Sequence, residues 1–360
     1  MSRTAYRCET SDRGFSLIEV LVAMAITTIV MSSVFALLTK GQRSFDREPE
    51  IAELQQNARA ALDAVSRDLT NAGYRTPPTV AVLWADGGGT TPDEITIVYG
   101  DPLFPTVSSL SCAEQNGPCN TIDSSSVLWV DHDSYDPPQN DPTAAFADGT
   151  PLIVLESTDC NGDGEVGIVP FELTKDPEMV GGKLKFQHNP GGGADLNLPG
   201  DYNNEVTADC AVVGVFNVVQ YRVNPLPPAD NPSLERRNLA AVEDWMPLAQ
   251  NIEDFQVQYG LGEGGAWTNS PPLPDPNDPD TWIGRVSLSI RGRSESTDLE
   301  GGTTAFAASP EDTFIRQTYQ TTVSLRNVVG NMEEFRVLNP GSWTPPPNTD
   351  VPAPPPAPVP

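Results

Sequence analysis

The sequence predicts an α+β protein in which a long N-terminal helix, first transmembrane and then amphipathic, packs on a mainly antiparallel β-sheet domain with long loops. Three observations support this. Residues 20–38 form an uncharged apolar run, residues 50–73 carry an apolar stripe at helical spacing, and short runs after residue 74 alternate apolar and polar side chains. A helical stripe repeats every three or four residues, whereas a half-buried strand alternates every two. The change of period near residue 74 therefore separates a helical part from a β-rich part.

The apolar run is long enough to cross a membrane. As a helix, its 19 residues span about 28 Å, close to the thickness of one bilayer core. Three arginines precede the run, and Lys40 and Arg43 follow it. A secretory signal peptide would end in a small-residue cleavage site, and none follows here. We therefore predict a transmembrane helix over residues 15–39 that stays with the mature chain.

Residues 40–74 predict an amphipathic stalk helix. Pro49 is expected to bend or break the path into it, and the "NAG" at 71–73 is a stop signal. The apolar face, which should pack on the globular domain, carries Ile51, Leu54, Ala58, Ala61, Leu62, Val65 and Leu69. The opposite, polar face carries Glu53, Gln56, Arg59, Asp63, Arg67 and Asp68.

Residues 75–340 predict a β-rich globular domain, and residues 341–360 a Pro-rich tail that cannot bury a core. Long loops rich in Gly, Pro and Asp separate the predicted strands. The predicted strands are 94–100, 126–130, 151–157, 183–188, 211–223, 254–260, 284–294 and 316–327.

The composition bears on partners. With 49 acidic and 21 basic side chains the formal net charge is −28. Such a surface repels phosphate backbones, which excludes nucleic acid as a partner. No P-loop, G-x-S-x-G or H-E-x-x-H motif is present in the sequence, so we predict no enzyme activity. Of the two histidines, His132 is interpreted as a solvated loop residue and His188 as a turn residue.

Four cysteines lie beyond the N-terminal segment, and an exported domain would oxidise them. Three pairings are possible, and we favour Cys112–Cys119, which closes a short loop, together with Cys160–Cys210. Zinc is the less favoured alternative, because no CxxC is present and the histidines are not at finger spacing.

The segment "DCNGDGEVGIVPFE" matches the first half of a calcium loop. Asp159, Asn161 and Asp163 would supply side-chain oxygens and Glu165 a backbone carbonyl. The twelfth position is Pro170 instead of Glu, so Glu172 is the candidate for the bidentate ligand. The expected ion is a structural calcium, and the alternative is an Asx-rich turn without an ion.

One carboxylate, Glu19, lies at the start of the apolar run, where a charge is costly and usually paired. The surrounding "RGFSLIEV" resembles the type IV prepilin processing motif. The resemblance implies that prepilin peptidase cuts between Gly14 and Phe15, releasing residues 1–14 as a leader peptide. It also implies that Phe15 is N-methylated and that Glu19 pairs with the α-amino group of a neighbouring subunit.

"LQQNARAALDAVSRDLTNAGY" and the order of the C-terminal strands resemble PilW-type minor pilins. The resemblance implies a pilin-like fold and a subunit at or near the tip of a type IV pilus. Its expected partners are the major pilin, other minor pilins and a tip adhesin. It also implies a chain held in the inner membrane with a periplasmic head, and later part of an extracellular pilus. The alternatives are a type II secretion pseudopilin and an adhesin or ligand-binding module on a pilin anchor.

Overall fold

The structure, a computed structural model, describes residues 16–89, 91–109, 127–157, 159, 166–189, 210–224, 232–241, 244–297 and 313–338. The chain divides into two compact units. The first comprises residues 1–53 and 296–315, and the second comprises residues 54–295 and 316–360. One helix, α1 (Leu17–Asn71), contributes to both units.

Helix α1 is a single helix of 55 residues, with Pro49 inside it. Of the two outcomes predicted for Pro49, the break is therefore wrong, and the bend stays a prediction. Proline removes one N–H donor from the helix ladder, and the acceptor it leaves is the carbonyl of residue 45. Both Phe45 and Pro49 are exposed, so water can satisfy that carbonyl. The helix ends at Asn71 as predicted, and Gly73 follows it with a positive φ of 78°.

Sixteen strands are found among the described residues. They are β1 (Val82–Ala85), β2 (Glu94–Gly100), β3 (Thr106–Ser108), β4 (Val127–Val130), β5 (Pro151–Glu156), β6 (Ile168–Glu172), β7 (Lys175–Val180), β8 (Lys183–Gln187), β9 (Ala211–Gly214), β10 (Phe216–Val223), β11 (Ser233–Asn238), β12 (Met246–Gln250), β13 (Ile252–Leu261), β14 (Trp267–Thr268), β15 (Ile283–Arg293) and β16 (Arg316–Ser324). A second helix, α2 (Arg326–Leu338), follows the last strand.

The strands form four sheets, and every pair within them is antiparallel. The orders are β1-β2-β10-β11-β12, β14-β13-β15-β16, β3-β9-β5-β6 and β4-β8-β7. The predicted class, a long helix followed by an antiparallel β domain, is confirmed.

Two predicted strands differ from the structure. The run 211–223 is divided at Val215, because β9 pairs with β3 and β5 whereas β10 pairs with β2 and β11. The last predicted strand ends at Ser324 instead of residue 327, and α2 begins at Arg326. The division of the run 211–223 is hidden in the sequence, because a continuous apolar run is buried whether it forms one strand or two strands in different sheets.

The main hydrophobic core lies under the C-terminal part of α1. Leu62, Val65 and Leu69 pack in one cluster with residues of the β1–β12 sheet and of the β14–β16 sheet. A second core lies among β4, β5, β6, β8 and β9. The apolar stripe predicted for the stalk is therefore the face that contacts the sheets, as expected.

Asp68 departs from the predicted polar face. Its carboxylate accepts hydrogen bonds from Tyr221 Oη at 2.6 Å and Tyr99 Oη at 3.4 Å, and it pairs with Arg236 Nε at 3.4 Å. Its side chain is only 13% exposed. Burial, with the Asp68 charge nearby, raises the pKa of Tyr99 to about 12 and raises that of Tyr221 further. Asp68 is thus a polar anchor between α1 and three strands.

Candidate functional site

The first candidate functional feature is the exposed apolar surface of the N-terminal part of helix α1. An 18-residue window of α1 has a mean hydropathy of 2.4, and none of it is buried. Leu17, Ile18 and Phe35 are all more than half exposed. By length and composition this helix can cross a membrane, which is also true of some signal sequences and core helices. Its exposure separates it from a core helix.

The polar start of α1 is built by two residues. Ser16 N and Ser16 Oγ each donate to Glu19 Oε2 at 3.0 Å, and Glu19 N donates to Ser16 Oγ at 3.3 Å. This reciprocal arrangement is a capping box, which satisfies N–H groups that a helix start leaves without partners. Sequence reasoning missed Ser16, although the spacing S-x-x-E ahead of an apolar run is its recognised signal.

The capping box uses only one of the two carboxylate oxygens of Glu19, Oε2. Glu19 Oε1 has no hydrogen-bond partner among the described residues, and Glu19 is exposed. A cation that approaches the helix start can therefore pair with Glu19 without displacing Ser16. The predicted processing residues Gly14 and Phe15 lie outside the described residues.

The predicted calcium loop connects β5 to β6. Of its proposed ligands, Asp159 is described and partly exposed, whereas Asn161, Asp163 and Glu165 lie outside the described residues. The strand register pairs Leu155 with Ile168 beside the loop and Pro151 with Glu172 at the other end. Four residues of strand separate Glu172 from Ile168, which is about 13 Å. The structure therefore separates Glu172 from the loop.

The carboxylate at the base of this loop is Glu156, which sequence reasoning missed. It is fully buried, and its Oε2 accepts the N–H of Gly167 at 3.0 Å. This bond joins the two ends of the loop. No sequence signal marked Glu156, because it ends the apolar run of β5.

Cys210 is disulfide-bonded, and Cys112, Cys119 and Cys160 lie outside the described residues. Cys210 precedes β9, and its carbonyl accepts the N–H of Ser157 at 2.9 Å. Residue 160 is three positions further along the chain from Ser157. This proximity is compatible with the Cys160–Cys210 pairing, which stays a prediction.

The two histidines have opposite surroundings. His132 lies on a partly exposed turn with Asp131 and Asp133, and its Nε2 is 3.6 Å from Asp133. His188 is 2% exposed, packs on the Phe171 ring, and has no hydrogen bond to the described residues at either ring nitrogen. Burial lowers its pKa to about 4. The predicted turn residue is thus a neutral core residue.

The described residues thus combine an exposed apolar helix that starts with a capped carboxylate and a head of antiparallel sheets. The family model for the prokaryotic N-terminal methylation motif matches residues 10–35. The match includes Gly14, Phe15 and Glu19, so the chain carries the motif that the sequence predicted. This motif is shared by pilins and pseudopilins, which are structural subunits and not enzymes.

No curated protein is similar in sequence at a significant level. Among solved structures, a type IV-like pilin from Thermus thermophilus is similar at a TM-score of 0.31 and 11% identity. The alignment covers 77% of this chain and 97% of that pilin. A TM-score of this size supports no conclusion about the fold.

Proposed function

We propose that the chain is a minor pilin of a type IV pilus that is located at or near the tip. The observation that carries the proposal is the methylation motif at residues 10–35, followed by an apolar helix with no buried residue in its most apolar window. An apolar helix of this kind needs lipid before assembly and neighbouring helices after it. Prepilin peptidase, the major pilin and other minor pilins are the proposed partners.

Glu19 has the proposed assembly role. Cleavage after Gly14 creates a cationic α-amino group at Phe15, close to the membrane edge. In a surrounding of low dielectric, two isolated charges are costly, and pairing them between neighbouring subunits removes both costs. Oε1 of Glu19, which has no hydrogen bond to the described residues, is the atom that would accept this amine. The pairing would also fix the axial register of two subunits.

The tip location is proposed from the size of the head. About 265 residues follow the stalk helix before the Pro-rich tail, and long loops interrupt them. Repeating such a head along a filament would crowd neighbouring subunits, whereas a terminal position has one free side. The head is proposed to be periplasmic before assembly and extracellular afterwards, where its cysteines would be oxidised.

The test has two steps. N-terminal and intact-mass analysis of the chain from its native membrane should find N-methyl-Phe15 as the first residue, and a chain that begins at Met1 would exclude prepilin processing. Gold-labelled antibodies against the head should then mark one end of sheared pili. Labelling along the whole filament would contradict the tip position.

The pseudopilin alternative makes a different prediction. Deleting the gene should abolish or reduce surface pili and leave type II secretion intact if the chain is a minor pilin. Loss of secretion with normal pili would favour the pseudopilin. Normal pili and secretion with lost surface attachment would favour a pilin-anchored adhesin.

We also propose that the β5–β6 loop binds a structural calcium ion through Asp159, Asn161, Asp163 and the Glu165 carbonyl. Glu172 is not included, because of its distance along β6. Hard oxygen ligands suit calcium, and the sequence has Gly164 at the position where the calcium-loop pattern requires glycine. Calorimetry should detect binding at millimolar calcium or below, and Asp163→Asn should weaken it. Absence of heat in the unsubstituted chain would remove the proposal.

A further inference from the structure

The four sheets of the described residues have eight edge strands, and β16 differs from the other seven. Four of the others are short: β1 and β4 have four residues, β3 has three and β14 has two. The remaining three, β6, β7 and β12, each contain a proline, at Pro170, Pro177 and Pro247. Short length and proline both hinder an edge strand from pairing with another chain.

Strand β16 has neither of these features. It has nine residues, without proline or lysine, and it pairs with β15 over its whole length with no register shift. Strands β7 and β12, by contrast, both pair with a register shift. An edge that is long, regular and unprotected is a template for a further strand. Within the described part of the chain, β16 is thus the edge that is suited to pairing.

The backbone groups on the outer edge of β16 follow from its register. Leu325 N donates to Gly284 O at 2.9 Å, so this pair is hydrogen-bonded. Antiparallel pairs alternate between bonded and non-bonded, and the backbone groups of the non-bonded pairs point away from the neighbouring strand. The outer edge therefore carries the N–H and C=O groups of Thr318, Gln320, Thr322 and Ser324. All four residues are exposed, and these backbone groups have no hydrogen-bond partner among the described residues.

The side chains of β16 divide between the two faces of the sheet. Tyr319 and Val323 are partly buried and pack against the main core. Gln320 and Thr322 lie on the opposite, exposed face. No residue from 317 to 324 is charged, in a chain with a net charge of −28, so a charge on an added strand would find no counterpart here. A strand that fits this edge therefore has apolar residues at alternate positions, which cover Tyr319 and Val323, and uncharged polar residues between them.

A second copy of the chain is a poor source of this strand. Among the described edges it could offer only its own β16, in an antiparallel twofold pair. Leu54 lies next to Gly292, near the end of β15. Gly73 lies next to Val328, beyond the end of β16, so the buried part of α1 runs in the direction of β16. Twofold pairing would set the two copies of this helix in opposite directions, which does not suit two chains anchored in one membrane through it.

We propose that the open edge of β16 binds an extended, uncharged segment of another protein as an additional strand, in which apolar residues alternate with Ser, Thr or Gln. Main-chain hydrogen bonds to the four outer-edge residues supply affinity, and the alternating side chains supply specificity, as in other cases of strand addition. The proposal does not rest on the pilus assignment, because it depends on the sheet edge alone.

The first test titrates the full-length chain in detergent with a synthetic peptide of about seven alternating threonines and valines, long enough to cover the edge. N-methyl groups on every second residue leave the peptide one pairing edge and prevent its aggregation. Hydrogen exchange of the fragment 317–324 is the measurement. The amides of Thr318, Gln320 and Thr322 should exchange at least about tenfold more slowly with the peptide, because they gain hydrogen bonds. The same peptide methylated at every residue is the control and should have no effect.

Variants locate the site. Gln320→Pro should weaken peptide binding at least about tenfold, and it should keep the urea midpoint of the unsubstituted chain, because its N–H points away from β15. Thr322→Lys should also weaken binding, since a lysine protects an edge. Gln258→Lys is its matched control. Gln258, Ser287 and Thr322 lie in one row across three strands, but Gln258 belongs to an interior strand, so its variant should bind normally.

The second test looks for the natural partner. A photoreactive benzophenone amino acid is placed at position 320 or, as the control, at position 258 of the full-length chain in its native membrane. Illumination should link position 320, and not position 258, to another protein. The linked peptide should be uncharged over at least about five residues and should alternate apolar and polar side chains.

Three results would overturn the inference. The first is that the peptide leaves the exchange of the outer-edge amides unchanged, or slows it no more than the fully methylated control does. The second is that Gln320→Pro and Thr322→Lys both bind the peptide as the unsubstituted chain does. The third is that position 320 is linked to a second copy, to a charged segment or to no protein.

Discussion

The two parts of helix α1 differ in what their apolar residues contact. Between Leu17 and Leu38 the large apolar side chains are exposed, and they occur on all sides of the helix. Between Leu54 and Ala72 the apolar residues form one stripe that is buried in the core of the second unit. The same helix is therefore exposed in its first part and buried in a protein core in its second part.

Polar residues follow the same division. Among the described residues, Glu19, in the first part, bonds to Ser16 one turn away. Asp68, in the second part, reaches Tyr99, Tyr221 and Arg236 on three strands. The carboxylate in the exposed part has one oxygen without a hydrogen bond to the described residues, whereas the one in the buried part is used within the fold. Substitutions in the two parts should therefore affect different measurements.

The largest expected effect is on assembly. Glu19→Ala should still be cleaved but should enter filaments at least about tenfold less, because the neighbouring amine is left unpaired at low dielectric. The measurement is the ratio of sheared to membrane-bound chain on immunoblots. Glu53→Ala, an exposed acid further along α1, is the matched control. Ser16→Ala should assemble better than Glu19→Ala, and normal incorporation of Glu19→Ala would contradict the assembly role.

The next effect compares one leucine from each part. Leu69→Ala should lower the free energy of unfolding of the head by about 3 kcal/mol, because Leu69 is fully buried and leaves a cavity. Leu38→Ala, at a residue that is 58% exposed, should leave it unchanged. Urea titration followed by Trp fluorescence measures both. If both variants lost the same free energy of unfolding, the exposed and buried parts of α1 would contribute equally to the stability of the head, which contradicts this prediction.

Asp68 provides a polar version of this comparison. Asp68→Asn should destabilise the head by about 2–3 kcal/mol, since Arg236 and two tyrosine hydroxyls lose a charged acceptor. Asp63→Asn, on the exposed face of the same helix, should cost less than about 0.5 kcal/mol. Urea unfolding measures both variants. A similar loss of unfolding free energy in Asp68→Asn and Asp63→Asn would show that Asp68 does not anchor α1 to the strands.

The smallest effect concerns pH. The folded-state pKa of His188 is about 4, below its ordinary value of 6.5, so the unfolded chain binds more protons between these values. Stability is therefore full above pH 6.5 and falls as the pH drops towards 4, by about 2 kcal/mol at pH 5. His188→Gln should reduce the difference in stability between pH 7 and pH 5. An unchanged pH dependence in His188→Gln would contradict this assignment.

Several features were predictable from local pattern. Strand β2 matches the predicted run 94–100, and β15 and β16 begin within one residue of the predicted starts. The apolar stripe of α1 was also assigned to the core face. These successes rest on periodicity, which depends on neighbours along the chain.

Other features depended on distant residues. Asp68 has the spacing of a surface residue, and only the approach of β2, β10 and β11 makes it an anchor. Pro49 carries a strong local signal for a break, but the exposed helix tolerates it. Glu156 and His188 sit in apolar or turn-like contexts, so their burial was not visible in the sequence.

The sequence by itself determined the membrane-length apolar run, the processing motif with Gly14, Phe15 and Glu19, and the α+β class, because each is written in adjacent residues or in a short period. The tertiary structure alone decided that β9 and β10 lie in different sheets, that Glu172 is separated from the calcium loop, and that β16 is left at the edge of its sheet. These features join residues far apart in the chain, and their proximity is set by the packing of the core, which no local pattern encodes.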